Sequence, residues 1–281
     1  MSETRLGSVL AEAAAEGRAV GAFTCYDLLG FEAVVRAAQA RAAPVIVLVG
    51  TGSFAARGGE RLIAAFRAAA AQARVPVLIQ LDHAADRELI ERAVAAGVDA
   101  VMADGSRMPY EQNLAFSAVV AQELLPLGIA VEAELGRVEG DEDLAALTAG
   151  GALTDPDEAA AFVRSSGVDC LAVSVGNVHG HYTGTPALDW ERLERLGGTG
   201  LPLALHGASG LPDADLRRAV SLGIAKVNVN TELRAAYFAA LAPGLATRAE
   251  ALDLRGLGEA VIEAVADAVS AKLALLGWGR R

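Results

Sequence analysis

The sequence predicts an α/β protein, specifically a (β/α)8 TIM barrel with one extra helix at its C terminus. Short apolar runs alternate with amphipathic, alanine-rich segments, which is the pattern of strands and helices around a parallel sheet. There are eight such runs, and the chain of 281 residues is close to the roughly 250 that this barrel needs. Because no linker or low-complexity segment interrupts the pattern, we expect residues 1–281 to form one domain.

Each predicted strand is an apolar run bounded by glycine, proline or polar residues. The runs begin at Val20, Pro44, Val75, Ala100, Ile129, Cys170, Pro202 and Ala225. Helical periodicity between them covers Glu60–Ala73, Arg87–Ala96, Tyr110–Leu124, Pro156–Ser166 and Asp213–Leu222. The extra helix is the amphipathic segment Leu254–Leu276, which follows the eighth run. A doubly wound open sheet is the alternative, and the lack of a Gly-x-Gly-x-x-Gly turn after the first run weakens its dinucleotide-binding form.

Composition narrows the class of protein. The formal net charge is −11, which argues against a nucleic-acid partner because such surfaces are basic. No apolar run reaches the roughly 18 residues of a membrane span, and the first residues lack the pattern of a secretory signal. Cys25 and Cys170 are too few for a disulfide framework and are expected to be buried. We therefore predict a cytoplasmic protein with neither a nucleic-acid nor a membrane partner.

Three of the four histidines lie at the ends of predicted strands. His83, His179 and His206 end the third, sixth and seventh runs, whereas His181 lies two residues further along and is expected to face solvent or the edge of the site. Barrel enzymes carry their chemistry at the carboxyl ends of the strands. A single histidine there is more often structural, but three neutral imidazoles with an open fourth position form a catalytic zinc site. The placement predicts a divalent metal centre.

Acidic side chains occur at the same ends. Asp82, Asp104, Glu132 and Glu134 would each need a cation or hydrogen bonds to offset burial. Adjacent strand residues point to opposite faces, so Asp82 and His83 are expected to have different roles. Glu132 and Glu134 share a face, and at least one of them is equally well explained as a structural ion-pair partner.

Glycines and small polar residues at the later strand ends suggest a phosphorylated substrate. Glycine allows the backbone to approach a ligand closely, and barrels commonly bind phosphate beside their seventh and eighth strands. The side chains that could donate hydrogen bonds there are Ser209, Asn228, Asn230 and Thr231.

The motifs "LDH", "VEAELG", "GNVHG", "LHGASG" and "KVNVNTE" together resemble those of the class II, metal-dependent ketose-bisphosphate aldolases, which include fructose- and tagatose-bisphosphate aldolases. The likeness covers roughly Val20 to Leu241. It implies a cytoplasmic enzyme of carbohydrate metabolism and glycolysis that reversibly cleaves a ketose (bis)phosphate to dihydroxyacetone phosphate and an aldehyde. The cleavage would pass through a metal-stabilised enediolate. The implied zinc ligands are His83, His179 and His206, with Asp104 and Glu134 close to the metal.

The resemblance also implies roles for individual residues. Asp82 would protonate the aldehyde oxygen during addition and take the proton back in cleavage, and Glu142 on the loop after the fifth strand would handle the proton on the nucleophilic carbon. Lys226 is assigned no imine. A sodium or potassium ion often joins the site in this family, whose members commonly form homodimers or larger assemblies such as homotetramers. The implied phosphate and hydroxyl contacts are Gly180, Gly207, Ser209, Asn228, Asn230 and Thr231.

Three positions depart from the family pattern. Thr24 stands where asparagine is usual, Gly50 where serine or threonine is usual, and Gly258 where relatives carry a basic residue for the distal phosphate. All three losses concern the aldehyde half of the site. They predict that the metal and the triose-phosphate half are kept while the aldehyde differs from glyceraldehyde 3-phosphate, with Arg255 as a candidate replacement for the missing cation.

Two functions outside the aldolases remain open on the sequence. A metal-dependent hydrolase uses histidine and aspartate at the strand ends of the same barrel. A non-catalytic sugar-phosphate-binding protein would bind ligand without turnover. Release of dihydroxyacetone phosphate that stops on chelation would distinguish an aldolase from both.

Overall fold

A computed structural model describes residues 5–56, 58–140, 147–148, 151–182 and 186–279. Eight parallel strands close into a barrel, as the sequence predicts. They are β1 (Val20–Thr24), β2 (Val45–Gly50), β3 (Val77–Ala84), β4 (Ala100–Ala103), β5 (Ala130–Leu135), β7 (Cys170–Val173), β9 (Leu203–Leu205) and β10 (Ile224–Val229). Their order around the barrel is β1-β10-β9-β7-β5-β4-β3-β2. Outside it, the short strands β6 (Leu147–Thr148) and β8 (His181–Tyr182) pair with each other.

Helices surround the barrel, and most of them cover its outer face. They are α1 (Arg5–Ala15), α2 (Leu28–Arg41), α3 (Thr51–Ala55), α4 (Gly59–Ala70), α5 (Arg87–Ala96), α6 (Tyr110–Leu124), α7 (Pro156–Ser166), α8 (Trp190–Gly197), α9 (Asp213–Ser221), α10 (Thr231–Arg248) and α11 (Leu254–Leu275). The bounds of α5, α6 and α7 match the prediction. Asp86 caps α5 by accepting from Glu88 N, and Asp155 caps α7 by accepting from Asp157 N, so local signals set both starts. The extra C-terminal helix is α11, and it packs against α2 and α10.

The helix α1, which the sequence analysis did not predict, packs against the amino ends of the strands. Its buried residues Leu6, Leu10 and Ala13 form one cluster with inward-facing strand residues such as Val20 and Leu78. This half of the interior is apolar. The polar residues of the barrel interior are therefore concentrated toward the carboxyl ends of the strands, where a site is expected. None of the helices in the described ranges combines the length and the apolarity required to traverse a bilayer.

Candidate active site and metal centre

The carboxyl ends of the strands bring the three predicted metal ligands together. His83 comes from β3, His179 from the segment after β7, and His206 from the end of β9. One nitrogen of each imidazole lies within 4.8 Å of those of the other two. His83 Nε2 and His206 Nδ1 face each other at 3.1 Å. The convergence of the three side chains, which the sequence could only suggest, is a feature of the structure.

A local irregularity of β3 turns His83 toward this centre. His83 has a φ of +54°, a left-handed value that is uncommon for a residue with a side chain. The pairing of β3 with β4 also shifts register between Leu81 and Ala84, so that the backbone bulges at Asp82 and His83. Because the bulge breaks the alternation of the strand, these two neighbours both line the same cavity. Their partners differ, since Asp82 accepts from Asn228 whereas His83 contacts Asp104, and the separate roles of the two residues stay a prediction.

Three hydrogen bonds hold the segment that carries His179. Asn177 is buried and donates to the carbonyl of His206 at 3.0 Å and to that of Val173 at 3.2 Å. The backbone N–H of His179 donates to the carbonyl of Glu139 at 2.8 Å. The segment is therefore tied both to β9 and to the chain that follows β5, which positions His179 beside the other two imidazoles.

Two acidic residues adjoin the imidazoles. Asp104 Oδ2 lies 2.8 Å from His83 Nδ1. Burial opposes the charge of Asp104, but its hydrogen bond and charge interaction with His83 outweigh that effect and lower its pKa. Glu134 Oε1 accepts from the Val138 N–H at 3.0 Å, while Oε2 is buried with no hydrogen-bond partner among the described residues. Burial and the nearby charge of Asp104 raise the pKa of Glu134.

These donors fit a divalent metal ion. Two imidazole nitrogens bound to one zinc at 2.0–2.1 Å would be about 3.3 Å apart in a tetrahedron, close to the 3.1 Å between His83 Nε2 and His206 Nδ1. A second group of possible ligands combines His83, Asp104 and Glu134. Oε2 of Glu134, which has no hydrogen bond to the described residues, is costly to bury without a cation. The geometry therefore defines a possible metal site with nitrogen and oxygen donors.

Asp82 lies beside this centre and faces the same cavity. Its side chain is buried, and Oδ2 accepts from Asn228 Nδ2 at 3.4 Å. No hydrogen bond to Oδ1 is present within the described ranges, and that oxygen is also buried. A buried carboxylate with one unengaged oxygen at the edge of a cavity is suited to exchanging a proton with a bound ligand.

A polar layer beneath the imidazoles contains residues that the sequence analysis did not assign to the site. Glu132 Oε1 lies 2.9 Å from His206 Nε2, and its Oε2 lies 2.8 Å from both Lys226 Nζ and Gln80 Nε2. All four side chains are buried. Burial disfavours the charge of Glu132, but Lys226 and His206 outweigh it and lower its pKa. Glu132 is thus paired with both Lys226 and His206. Glu134, the other acid on β5, lies 4.0 Å from His83 Nδ1 through its Oε2. The polar residues that alternate along β5 and β10 were the sequence signal for this layer.

The residues predicted to bind phosphate lie at the ends of β7, β9 and β10. Gly180 and Gly207 have φ values of +84° and +59°, which glycine adopts readily. A Cβ at Gly207 would stand 2.1 Å from a carbonyl oxygen, so this approach of two segments requires glycine. Ser209 and Asn230 are buried, and Thr231 begins α10, where free N–H groups favour an anion. The predicted Glu142 lies outside the described residues.

The cavity extends from the imidazoles toward β1 and β2. Thr24 and Gly50, two of the departures from the family pattern, line it, and a Cβ built at Gly50 would meet only open space. Arg107, after β4, also lines it. The third departure, Gly258, instead lies buried in α11 against α2. Arg255 is exposed and does not line the cavity, so positive charge in the wall comes from residues other than the candidate that the sequence suggested.

A parallel (β/α)8 barrel with histidines and carboxylates that converge at the carboxyl ends of its strands is typical of barrel enzymes that have a metal centre. Comparison with known proteins identifies the family. The model of class II fructose-bisphosphate aldolases matches residues 4–280, and the chain belongs to this family. It is therefore an aldolase of the carbon–carbon lyase class. This assignment argues against the two alternative functions, a metal-dependent hydrolase and a non-catalytic sugar-phosphate-binding protein.

Individual relatives agree with this assignment. The chain is 38% identical over 266 residues to a protein named "Probable fructose-bisphosphate aldolase" from Bacillus subtilis, with 93% of each chain covered. The crystal structure of the YdjI aldolase from Escherichia coli K12 superimposes with a TM-score of 0.86 at 33% identity, covering 98% of this chain and 97% of that one. Fructose-bisphosphate aldolase from Campylobacter jejuni, at 23% identity and a TM-score of 0.82, covers 99% and 95% and supports the fold alone.

Proposed function

We propose that this protein is a zinc-dependent aldolase that reversibly cleaves a ketose (bis)phosphate to dihydroxyacetone phosphate and an aldehyde. The observation that carries the proposal is the meeting of His83, His179 and His206 within 4.8 Å beside the buried carboxylate of Asp82. Three imidazoles are a common ligand set of catalytic zinc. When bound, zinc supplies Lewis acidity that polarises the ketose carbonyl and stabilises negative charge on the adjoining oxygen.

The roles of the protein groups follow from their positions. During cleavage, Asp82 takes the proton from the hydroxyl on the carbon that becomes the aldehyde carbon. During addition, it returns this proton to the aldehyde oxygen. Its Oδ1, which accepts no hydrogen bond from the described residues, and its place in the cavity wall support this role. Ser209, Asn230 and Thr231 hold the phosphate of the ketose half beside the start of α10. We keep Glu142 as the residue that exchanges the proton on the nucleophilic carbon, on the sequence resemblance alone.

The expected result of chelation tests this function. Incubation with a chelator should reduce retro-aldol release of dihydroxyacetone phosphate from fructose 1,6-bisphosphate or a related ketose phosphate by at least about 10²-fold, because the lost Lewis acid contributes several kcal/mol. One equivalent of Zn²⁺ should restore the activity. Dihydroxyacetone phosphate release is measured with a coupled dehydrogenase, with the coupling enzyme checked separately in the chelator. Full activity in protein shown to be metal-free would refute the proposal.

The aldehyde half has a separate expected result. Thr24 and Gly50 line the cavity where the family pattern has other hydrogen-bonding side chains, and the candidate cation Arg255 does not line it. We therefore expect fructose 1,6-bisphosphate to be cleaved with a kcat/KM no more than about tenfold above that of a ketose 1-phosphate without a distal phosphate, since a lost charged contact is worth about 1.5–3 kcal/mol. A preference for the bisphosphate above 10³-fold would show that the distal phosphate is still recognised.

Other parts of the proposal rest on less direct support. The single-domain organisation of residues 1–281 agrees with a family match over residues 4–280. A homodimer or homotetramer is supported by exposed apolar side chains on and around α10 and α11. These side chains are Phe238, Leu245, Leu252 and Leu254. Light scattering can measure the oligomeric state. The cytoplasmic location and the sodium or potassium ion remain predictions from the sequence.

A further inference from the structure

Lys226 lies in the interior of the barrel, and the chemistry proposed above gives it no role. Its side chain is fully buried, with Nζ at 2.8 Å from Glu132 Oε2 and at 2.7 Å from Asn228 Oδ1. Burying a charged group is costly even when it is paired, so an apolar residue would fill this position at lower cost. We infer that Lys226 is a positioning residue that acts on both His206 and Asp82, an inference that rests on the proposed function.

The first connection runs through Glu132 to the metal centre. Lys226 and Gln80 both donate to Oε2 of Glu132, which leaves Oε1 to accept from Nε2 of His206 at 2.9 Å. A proton on Nε2 places the lone pair of His206 on Nδ1, the nitrogen that faces His83 at 3.1 Å. Partners of this kind orient a metal-binding imidazole and increase its basicity. The ammonium of Lys226 thus fixes the carboxylate that selects the metal-binding nitrogen.

The second connection runs through Asn228 to the proton-transfer carboxylate. An asparagine amide has one oxygen that accepts and one nitrogen that donates. Because Lys226 occupies the oxygen of Asn228, the nitrogen points to the opposite side, where it lies 3.4 Å from Asp82 Oδ2. Without the ammonium, the amide loses the interaction that sets its orientation, and Asp82 loses a directed donor.

Simple charge balance is the competing explanation for Lys226. Under that explanation the ammonium is present only to neutralise Glu132, and removing both charges together should restore function as well as stability. Burial disfavours the charged form of Lys226, but Glu132 and Asp82 outweigh that effect and raise its pKa. The ammonium also donates to Asn228, which in turn donates to Asp82, and charge balance with Glu132 alone does not require that connection.

Three variants separate these explanations: Lys226→Met, Glu132→Gln and the double variant. Lys226→Met leaves a buried charge and should lower the melting temperature, whereas the double variant should recover most of that loss. The affinity for Zn²⁺, measured by competition with a chromophoric chelator, should fall about 10–100-fold in all three. At saturating Zn²⁺, the double variant should have a kcat about tenfold or more below that of Glu132→Gln, since only the double variant also loses the contact with Asn228.

Equal kcat values for the double variant and Glu132→Gln at saturating Zn²⁺ would overturn the connection to Asp82. Wild-type Zn²⁺ affinity in the double variant would overturn the connection to His206. Lys272→Met is the matched control, because Lys272 is also buried and pairs with Glu232 at 2.8 Å. It should keep Zn²⁺ affinity and kcat within about threefold of wild type. A wild-type protein without aldolase activity would refute the proposed function instead, while the Zn²⁺ competition would still test the connection to His206.

Discussion

Replacing His206 with alanine is expected to remove tightly bound metal and to lower kcat/KM for retro-aldol cleavage by about 10³-fold or more. His206 is fully buried, and its Nδ1 faces His83 Nε2 at 3.1 Å. Its loss leaves two imidazoles, and the metal supplies several kcal/mol of charge stabilisation in reactions of this kind. Metal content after dialysis and steady-state kinetics in added Zn²⁺ measure the two effects separately.

The matched control is His181→Ala, which removes the histidine that the sequence analysis leaves outside the ligand set. It should keep one metal ion per chain after dialysis. His206→Ala also leaves Glu132 without one of its partners, so folding must be verified by circular dichroism and thermal unfolding. A folded His206→Ala protein that retains stoichiometric metal and wild-type kinetics would rule out His206 as a ligand.

Asp82→Asn is expected to lower kcat by about 10²–10⁴-fold while leaving the metal content unchanged. The substitution preserves the size of the side chain and removes the basic oxygen that exchanges the proton. Since this interaction is made in the transition state, kcat and kcat/KM should fall together, with KM little changed. Asp82 is not itself among the possible metal ligands, so metal analysis separates its role from that of the adjacent His83.

Asp157→Asn provides the control for Asp82→Asn. Asp157 is an exposed carboxylate on α7 that pairs with Arg195 at 3.2 Å and does not line the cavity. Its replacement should leave kcat within about twofold and change the free energy of unfolding by about 0.5 kcal/mol at most. If Asp82→Asn kept more than a tenth of the wild-type kcat with its metal in place, another group would have to transfer the proton.

The strands and several helices could be predicted because their signals are local. Apolar runs of strand length mark all eight barrel strands, and the capping residues Asp86 and Asp155 set the starts of α5 and α7. The helix α1 was not predicted, although its apolar residues recur with clear helical periodicity. Its partners are inward-facing residues of many strands, and only the closed barrel brings these together at one end.

For the site, the sequence by itself determined which residue types stand at the strand ends, and therefore the three imidazoles, Asp82 and the family they indicate. Only the tertiary structure decided how these groups are arranged. The φ of +54° at His83 turns two neighbours of one strand into the same cavity. The pairing of Glu132 with both His206 and Lys226 joins β5, β9 and β10. These contacts form only when the barrel closes. Closure buries polar side chains from distant parts of the chain together, where they must form hydrogen bonds with one another.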